Sequence, residues 1–158
     1  IREWPRPVIV AVVIACIVSP ALIAVWHVRS TTVALTVPQE RAARWIAAET
    51  PERAVFVTDA FINSPVDLAG RRRISTFGPY VSNLGYDPGP READTNAVYC
   101  AGPDVAAERM ARYGATYVLS SGGIPCEAGV DQTDFSSSAL FETVYDADGV
   151  SVWRLRDP

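Results

Sequence analysis

FETVYDADGVSVWRL, residues 141–155, is the stretch that sets the architecture of this chain. Two runs rich in aromatic and β-branched residues flank Asp148-Gly149, a pair suited to a tight turn with positive φ at its centre. In the first run Phe141, Thr143 and Tyr145 alternate; in the second Ser151, Trp153 and Leu155 alternate against Val150 and Val152. A period of two predicts an antiparallel hairpin at the end of a mixed sheet. Working upstream, ATYVLSS (Ala115–Ser121) and AVFVTD (Ala54–Asp59) read as short buried strands. RISTF (Arg73–Phe77) reads as a weaker one.

The segments between these strands carry helical signals. Pro38 suits the first position of a helix through Glu49, with Glu40 and Arg44 paired at i, i+4 and an apolar stripe of Ala42, Trp45 and Ile46. Thr50-Pro51 ends it. SPVDLAG (Ser64–Gly70) predicts one or two helical turns closed by glycine. Gly78–Pro90 reads as loop, Arg91–Tyr99 as a helix, and Pro103-Asp104 as the start of another, with Ala106, Met110 and Tyr113 on one face and Gly114 at its end. Gly122–Ser138 is small and polar, a loop tied by Cys126. Alternating helices and strands predict a small α/β domain of two or three layers over residues 30–158.

Farther out lies PVIVAVVIACIVSPALIAVW, Pro7–Trp26, twenty residues without a charge. A helix of that length rises about 30 Å, the thickness of a bilayer's hydrocarbon core. Trp4 and Trp26 bracket it, and Arg2, Arg6, His27 and Arg29 stand just outside, as interfacial residues do. Pro20 is tolerated in a spanning helix when Ser19 or a neighbour satisfies the freed carbonyl. A signal peptide would have a shorter apolar core and a small-residue cleavage site. A transmembrane helix within residues 1–29 is therefore expected, although arginines on both flanks leave its orientation open. Because the first residue is Ile and not Met, a fragment or a processed chain is expected.

Charge and composition exclude several classes of function. All 14 basic residues are arginine, and 18 acidic residues bring the net charge to −4. This balance argues against a nucleic-acid binder. A single histidine, His27, argues against a zinc site and against histidine-dependent nucleophilic catalysis, and no phosphate-loop or dinucleotide fingerprint is present. No cofactor is expected. SSGG (Ser120–Gly123) reads as a plain turn or a small anion nest. Two polar clusters remain. Arg71, Arg72 and Arg73 form a triplet that either holds a phosphate by guanidinium forks or simply faces solvent and acids. Tyr86, Asp87, Arg91, Glu92 and Asp94 line a glycine-rich turn into a helix, read either as a binding loop or as an ordinary helix start. Cys100 and Cys126 are either a disulfide or two free thiols; an oxidising compartment would favour the bridge.

NSPVDLAGRR (Asn63–Arg72), GPYVSNLGYD (Gly78–Asp87), READTNAVYCAG (Arg91–Gly102), MARYGATYVL (Met110–Leu119) and the closing F-x-x-V-Y…G-V-x-V-W-R-L occur in that order. Together they resemble the C-terminal region of large polytopic bacterial membrane proteins in or near glycosyltransferase superfamily C. The resemblance implies a last transmembrane helix leading into an extracytoplasmic α/β domain at the cell membrane. It further implies upstream transmembrane helices of the same protein, a polyprenyl-phosphate sugar donor, and a catalytic acid outside this chain. Arg71, Arg72, Arg73, Tyr86, Asp87, Arg91 and Glu92 would then serve the lipid phosphate or its sugar. Where relatives often carry tryptophan, this chain has Tyr80 and Tyr86. The competing expectation is a membrane-tethered, non-catalytic binding or assembly domain of the cell envelope.

Overall fold

A computed structural model describes residues 35–59, 62–123 and 126–156, together with positions 5, 7, 8, 16, 18, 19, 22 and 23. The chain divides into two units, Ile1–Ala34 and Leu35–Pro158. Within the first, Pro7, Val8, Cys16, Val18, Ser19, Leu22 and Ile23 have helical backbone and exposed side chains. The rest of the span expected at Pro7–Trp26 lies outside the described residues, and among those described no helix is long and apolar enough to cross a membrane.

The second unit is an α/β domain. Its elements run α1 (Val37–Glu49), β1 (Val55–Thr58), α2 (Pro65–Leu68), β2 (Arg72–Arg73), α3 (Gly78–Asn83), α4 (Gly89–Cys100), α5 (Pro103–Arg112), β3 (Tyr117–Ser120), β4 (Phe141–Ala147) and β5 (Val150–Leu155). The five strands form one mixed sheet in the order β2-β1-β3-β5-β4. β1 pairs in parallel with β2 and β3, whereas β5 runs antiparallel to both β3 and β4.

β1, β3, β4 and β5 feed two cores, because successive side chains point to opposite faces. On one face Phe56, Tyr117, Leu119 and Val152 meet Ala42 and Ile46 of α1 and Val66 of α2. On the other, Val57 and Val118 meet Val98 and Tyr99 of α4 and Ala106 and Met110 of α5. The domain is thus three-layered. Burial on both sides explains why Val55–Val57 is an unbroken apolar run. Thr36 caps α1 through a capping box with Gln39, and Ser64 caps α2. Gly70, at φ +68°, closes α2 in the left-handed conformation that a side chain would oppose.

Four features depart from the sequence expectation. β2 covers only Arg72–Arg73 instead of Arg73–Phe77. After the Ile74 amide donates to Phe56, Arg91 takes the Ile74 carbonyl and the chain leaves the sheet. The stretch expected as loop at Gly78–Pro90 contains α3, started by Pro79 in its first turn. The hairpin forms with Asp148 and Gly149 both at positive φ, but a bulge between Thr143 and Tyr145 breaks the alternation. It turns Tyr145 away from Phe141's face to stack near Trp45, ring centroids 5.2 Å apart. Finally, Phe135 in the polar Gly122–Ser138 segment is buried against Tyr99, Phe141 and Trp153.

Candidate functional site

The short edge strand opens a cavity of about 470 Å³. Its polar wall is Arg73, Ser75, Thr76, Asp87 and Arg91; its apolar wall is Ile74, Val81, Tyr86 and Pro88. Four of the sequence candidates (Arg73, Tyr86, Asp87 and Arg91) therefore share one space, although 18 positions separate the first from the last. The fold does this by bringing the end of β2, the end of α3 and the start of α4 together.

The arginine triplet does not act as a unit. Arg71 donates to the carbonyls of Ala47, Thr50 and Ala69 and to the Thr50 hydroxyl, clamping the C-terminal end of α1. Arg72 is exposed and donates to the Arg53 carbonyl. Arg73 alone reaches the cavity. Its side chain is 9% exposed, with Asp67 at 3.0 Å and Thr76 at 2.7 Å. Burial lowers the Arg73 guanidinium from its ordinary value, and the Asp67 charge opposes that shift. Strand geometry forbids convergence, because Arg72 and Arg73 must point to opposite faces.

Arg91 is placed differently. One guanidinium nitrogen donates to the Ile74 carbonyl at 3.3 Å, and the group lies 5.7 Å over the Tyr113 ring. Tyr113 is held in turn by its hydroxyl donating to Asp94, which also pairs with Arg109 at 3.1 Å. Asp94 is thereby committed to α5 and is no part of the cavity. No carboxylate pairs with Arg91 among the described residues. Asp87 is exposed and accepts from the Gly89 amide at 2.9 Å, fixing the turn into α4. Glu92 lies elsewhere, since consecutive helical residues point about 100° apart. Its carboxylate covers Gly78, where a Cβ would collide with it, and lines a separate cleft with Ile62, Phe77 and Pro79. Asp87 and Glu92 thus line different clefts.

A second arrangement sits where an open α/β sheet usually binds ligands, at the C-terminal ends of its parallel strands. The amides of Ser121, Gly122 and Gly123 converge to form an anion nest. Its occupant is Asp59, whose carboxylate accepts from those amides at 2.7, 3.1 and 2.8 Å and from the Ser120 and Ser121 hydroxyls at 3.1 and 3.2 Å. Gln39 of α1 donates to the Ser121 hydroxyl at 3.3 Å, extending the contact to a third element. SSGG is therefore a nest filled from within. The sequence signal was available: Asp59 and SSGG each follow a buried strand, and parallel neighbours bring such ends together.

Tyr99 lies beneath this nest, fully buried, with its hydroxyl donating to the Leu119 carbonyl. Burial first, and then the Asp59 charge, push its phenol well above the ordinary value of about 10. In the unfolded chain Tyr99 loses its proton near that value, whereas the folded state keeps it. Its contribution is therefore full below pH 10 and is lost as pH rises above it, by about 1.4 kcal/mol per pH unit. Urea midpoints measured from pH 9 to 11 should fall more steeply for the wild type than for Tyr99→Phe. Parallel slopes would contradict this assignment.

Cys100, the last residue of α4, is bonded to Cys126, with Cα atoms 5.6 Å apart. The bridge anchors the segment after β3 to the helix whose first turn carries Arg91. No protein-family model matches the sequence, and no curated protein is detectably similar to it.

Proposed function

We propose that this chain is the membrane-anchored C-terminal module of a polytopic glycosyltransferase-like protein, and that its Arg73–Arg91 cavity receives the phosphate of a lipid-linked sugar. The observation that carries the reading is Arg91, a cation without a carboxylate partner among the described residues, lining a cavity that also offers Ser75, Thr76, Asp87 and Tyr86. Guanidinium forks match phosphate oxygens, while hydroxyls, a carboxylate and an aromatic face suit a sugar. Exposed apolar side chains at the helical positions Val18, Leu22 and Ile23 suit lipid better than water, in keeping with a span at Pro7–Trp26. The Cys100–Cys126 bridge favours the oxidising side of the membrane. Upstream helices of the same protein supply the catalytic acid; this module binds and orients the donor.

Native mass spectrometry of the chain in nanodiscs, titrated with a polyprenyl-phosphate sugar, tests the proposal. A charge-assisted hydrogen bond is worth about 1.5–3 kcal/mol, so Arg91→Ala should weaken binding about 10- to 100-fold. Arg72→Ala, outside the cavity, should leave it unchanged. Equal affinity in wild type and Arg91→Ala would overturn the assignment.

A further inference from the structure

Phe77–Tyr86 reads FGPYVSNLGY, ten residues without a charge in a chain that is 20% charged. The segment is tightly folded. The Tyr80 amide donates to Phe77, those of Leu84 and Tyr86 both to Val81, and that of Gly85 to Ser82. Gly85 adopts φ +83°, which bends the chain back so that Tyr86 returns toward α3. Tyr80 packs edge-on against Phe77 with ring centroids 5.1 Å apart, so its position is fixed. Even so, Tyr80 is 59% exposed, Leu84 75% and Tyr86 70%, the last two being the most exposed large apolar side chains among the described residues. Tyr80 and Leu84, four apart, share one face of the turn.

A tightly hydrogen-bonded turn with leucine at its tip and tyrosines beside it is unfavourable in water. In the interfacial zone of a bilayer the same groups are favourable: leucine enters the acyl boundary, and tyrosine keeps its ring in the headgroup layer and its hydroxyl wet. The cationic complement is adjacent, since Val81 and Tyr86 line the same cavity as Arg73 and Arg91. Eight residues separate Trp26 from Leu35, a tether of at most about 30 Å, so an apolar stretch held in a bilayer keeps the lipid surface within reach of the domain. Three protruding side chains are few for a stable protein interface, which takes some 20–30 residues a side.

We propose that the Phe77–Tyr86 turn is a bilayer-contact element that rests at the lipid surface and presents the mouth of the Arg73–Arg91 cavity to phosphate headgroups. This rests on the anchored-module reading above and extends it by naming the surface against which the site works. Leu84 is the inserted group, and Tyr80 and Tyr86 set its depth.

The test uses the full chain with Cys16→Ser, reconstituted in vesicles of phosphatidylethanolamine and phosphatidylglycerol without any sugar donor. A nitroxide is placed at Leu84→Cys or, as the reference, at Leu140→Cys, which adjoins β4 at the opposite edge of the sheet. At position 84, collision with a water-soluble nickel chelate should be several-fold lower than at 140, and collision with oxygen should be higher. Equal nickel access at both positions overturns the proposal. Protection from both nickel and oxygen also overturns it, because that pattern marks a protein partner or a second copy. Alkaline carbonate extraction is run first. Release of the chain from the vesicles would overturn both this proposal and the anchored reading, whereas a retained chain with a nickel-accessible label at 84 overturns the bilayer contact alone.

Discussion

Asp59→Ala should lower the stability of the domain by about 2–3 kcal/mol, a fall of roughly 10 °C in Tm for a domain of this size. The carboxylate is the common acceptor for three backbone amides and two hydroxyls at the ends of β1 and β3. Removing it leaves several donors aimed at one vacated point, and only Gly122 among them is exposed enough to find water readily. Asp59→Asn separates charge from shape. Its amide oxygen can take the place of Oδ2, which accepts four of the five bonds, and its nitrogen then meets only the Ser121 hydroxyl, which can turn to accept, so it should lose the charge-assisted part alone and remain clearly more stable than the alanine variant. Thermal unfolding followed by circular dichroism in detergent reads both variants. A Tm within about 2 °C of the wild type for Asp59→Ala would mean that the nest is a surface ornament and not a brace between parallel strands.

Loss of the disulfide should cost more. The bridge spans 26 positions of sequence. In the chain-entropy account, a loop of that length stabilises the folded state by about 3.5 kcal/mol. That is a large share of the 5–15 kcal/mol total of a typical domain. The closed loop contains α5 and β3, so the bridge limits the unfolded chain across much of the second core. The native state does not depend on it for position alone. Thr133 donates its amide to Tyr99 at 2.7 Å and accepts from the Gly102 amide at 3.1 Å, and Phe135 remains wedged beside Tyr99. Cys100→Ser/Cys126→Ser is therefore expected to fold, with a lower urea midpoint and an unchanged near-ultraviolet spectrum at 10 °C. Dithiothreitol should shift the wild type to the same midpoint and leave the double variant where it is. An unchanged midpoint for the reduced wild type would show that the bridge does not stabilise the domain.

What the sequence disclosed was local. Asp148-Gly149 between alternating runs specifies its own turn, and Ala106 and Met110 lie one helical turn apart on the buried face of α5 whatever surrounds them. The buried strands Val55–Thr58 and Tyr117–Ser120 are legible because apolar runs bounded by polar residues suit a sheet covered on both faces. What it hid depends on distant partners. α3 has glycine, proline and no side-chain cap, and its start lies under Glu92, fourteen positions on from Gly78. Phe135 stands in a run of small polar residues, and only the bridge from Cys126 to Cys100 hints that this run folds back over the core. At the candidate site, Tyr86, Asp87 and Arg91 could be grouped from their nearness in sequence. The same nearness groups Arg71 and Arg72 with Arg73, and there the strand's alternation separates them. Ser75 and Thr76 join the cavity unannounced, because RISTF predicts a weak strand that would carry them along the sheet.

We propose a single cavity, between Arg73 and Arg91, as the place that takes a phosphate ester on an isoprenoid chain. The most direct measurement is a nitrogen-15 NMR titration of the chain in detergent with geranyl phosphate, a short soluble analogue, reading arginine side-chain Nε–Hε signals alongside backbone amides. Saturable shifts are expected for the side chains of Arg73 and Arg91 and the amides of Tyr86 and Asp87, with Arg71, Arg72, Gly122 and Gly123 unmoved. Saturable shifts confined to Arg71 and Arg72, or to the Ser121–Gly123 amides, would contradict it, as would a spectrum that geranyl phosphate leaves unchanged.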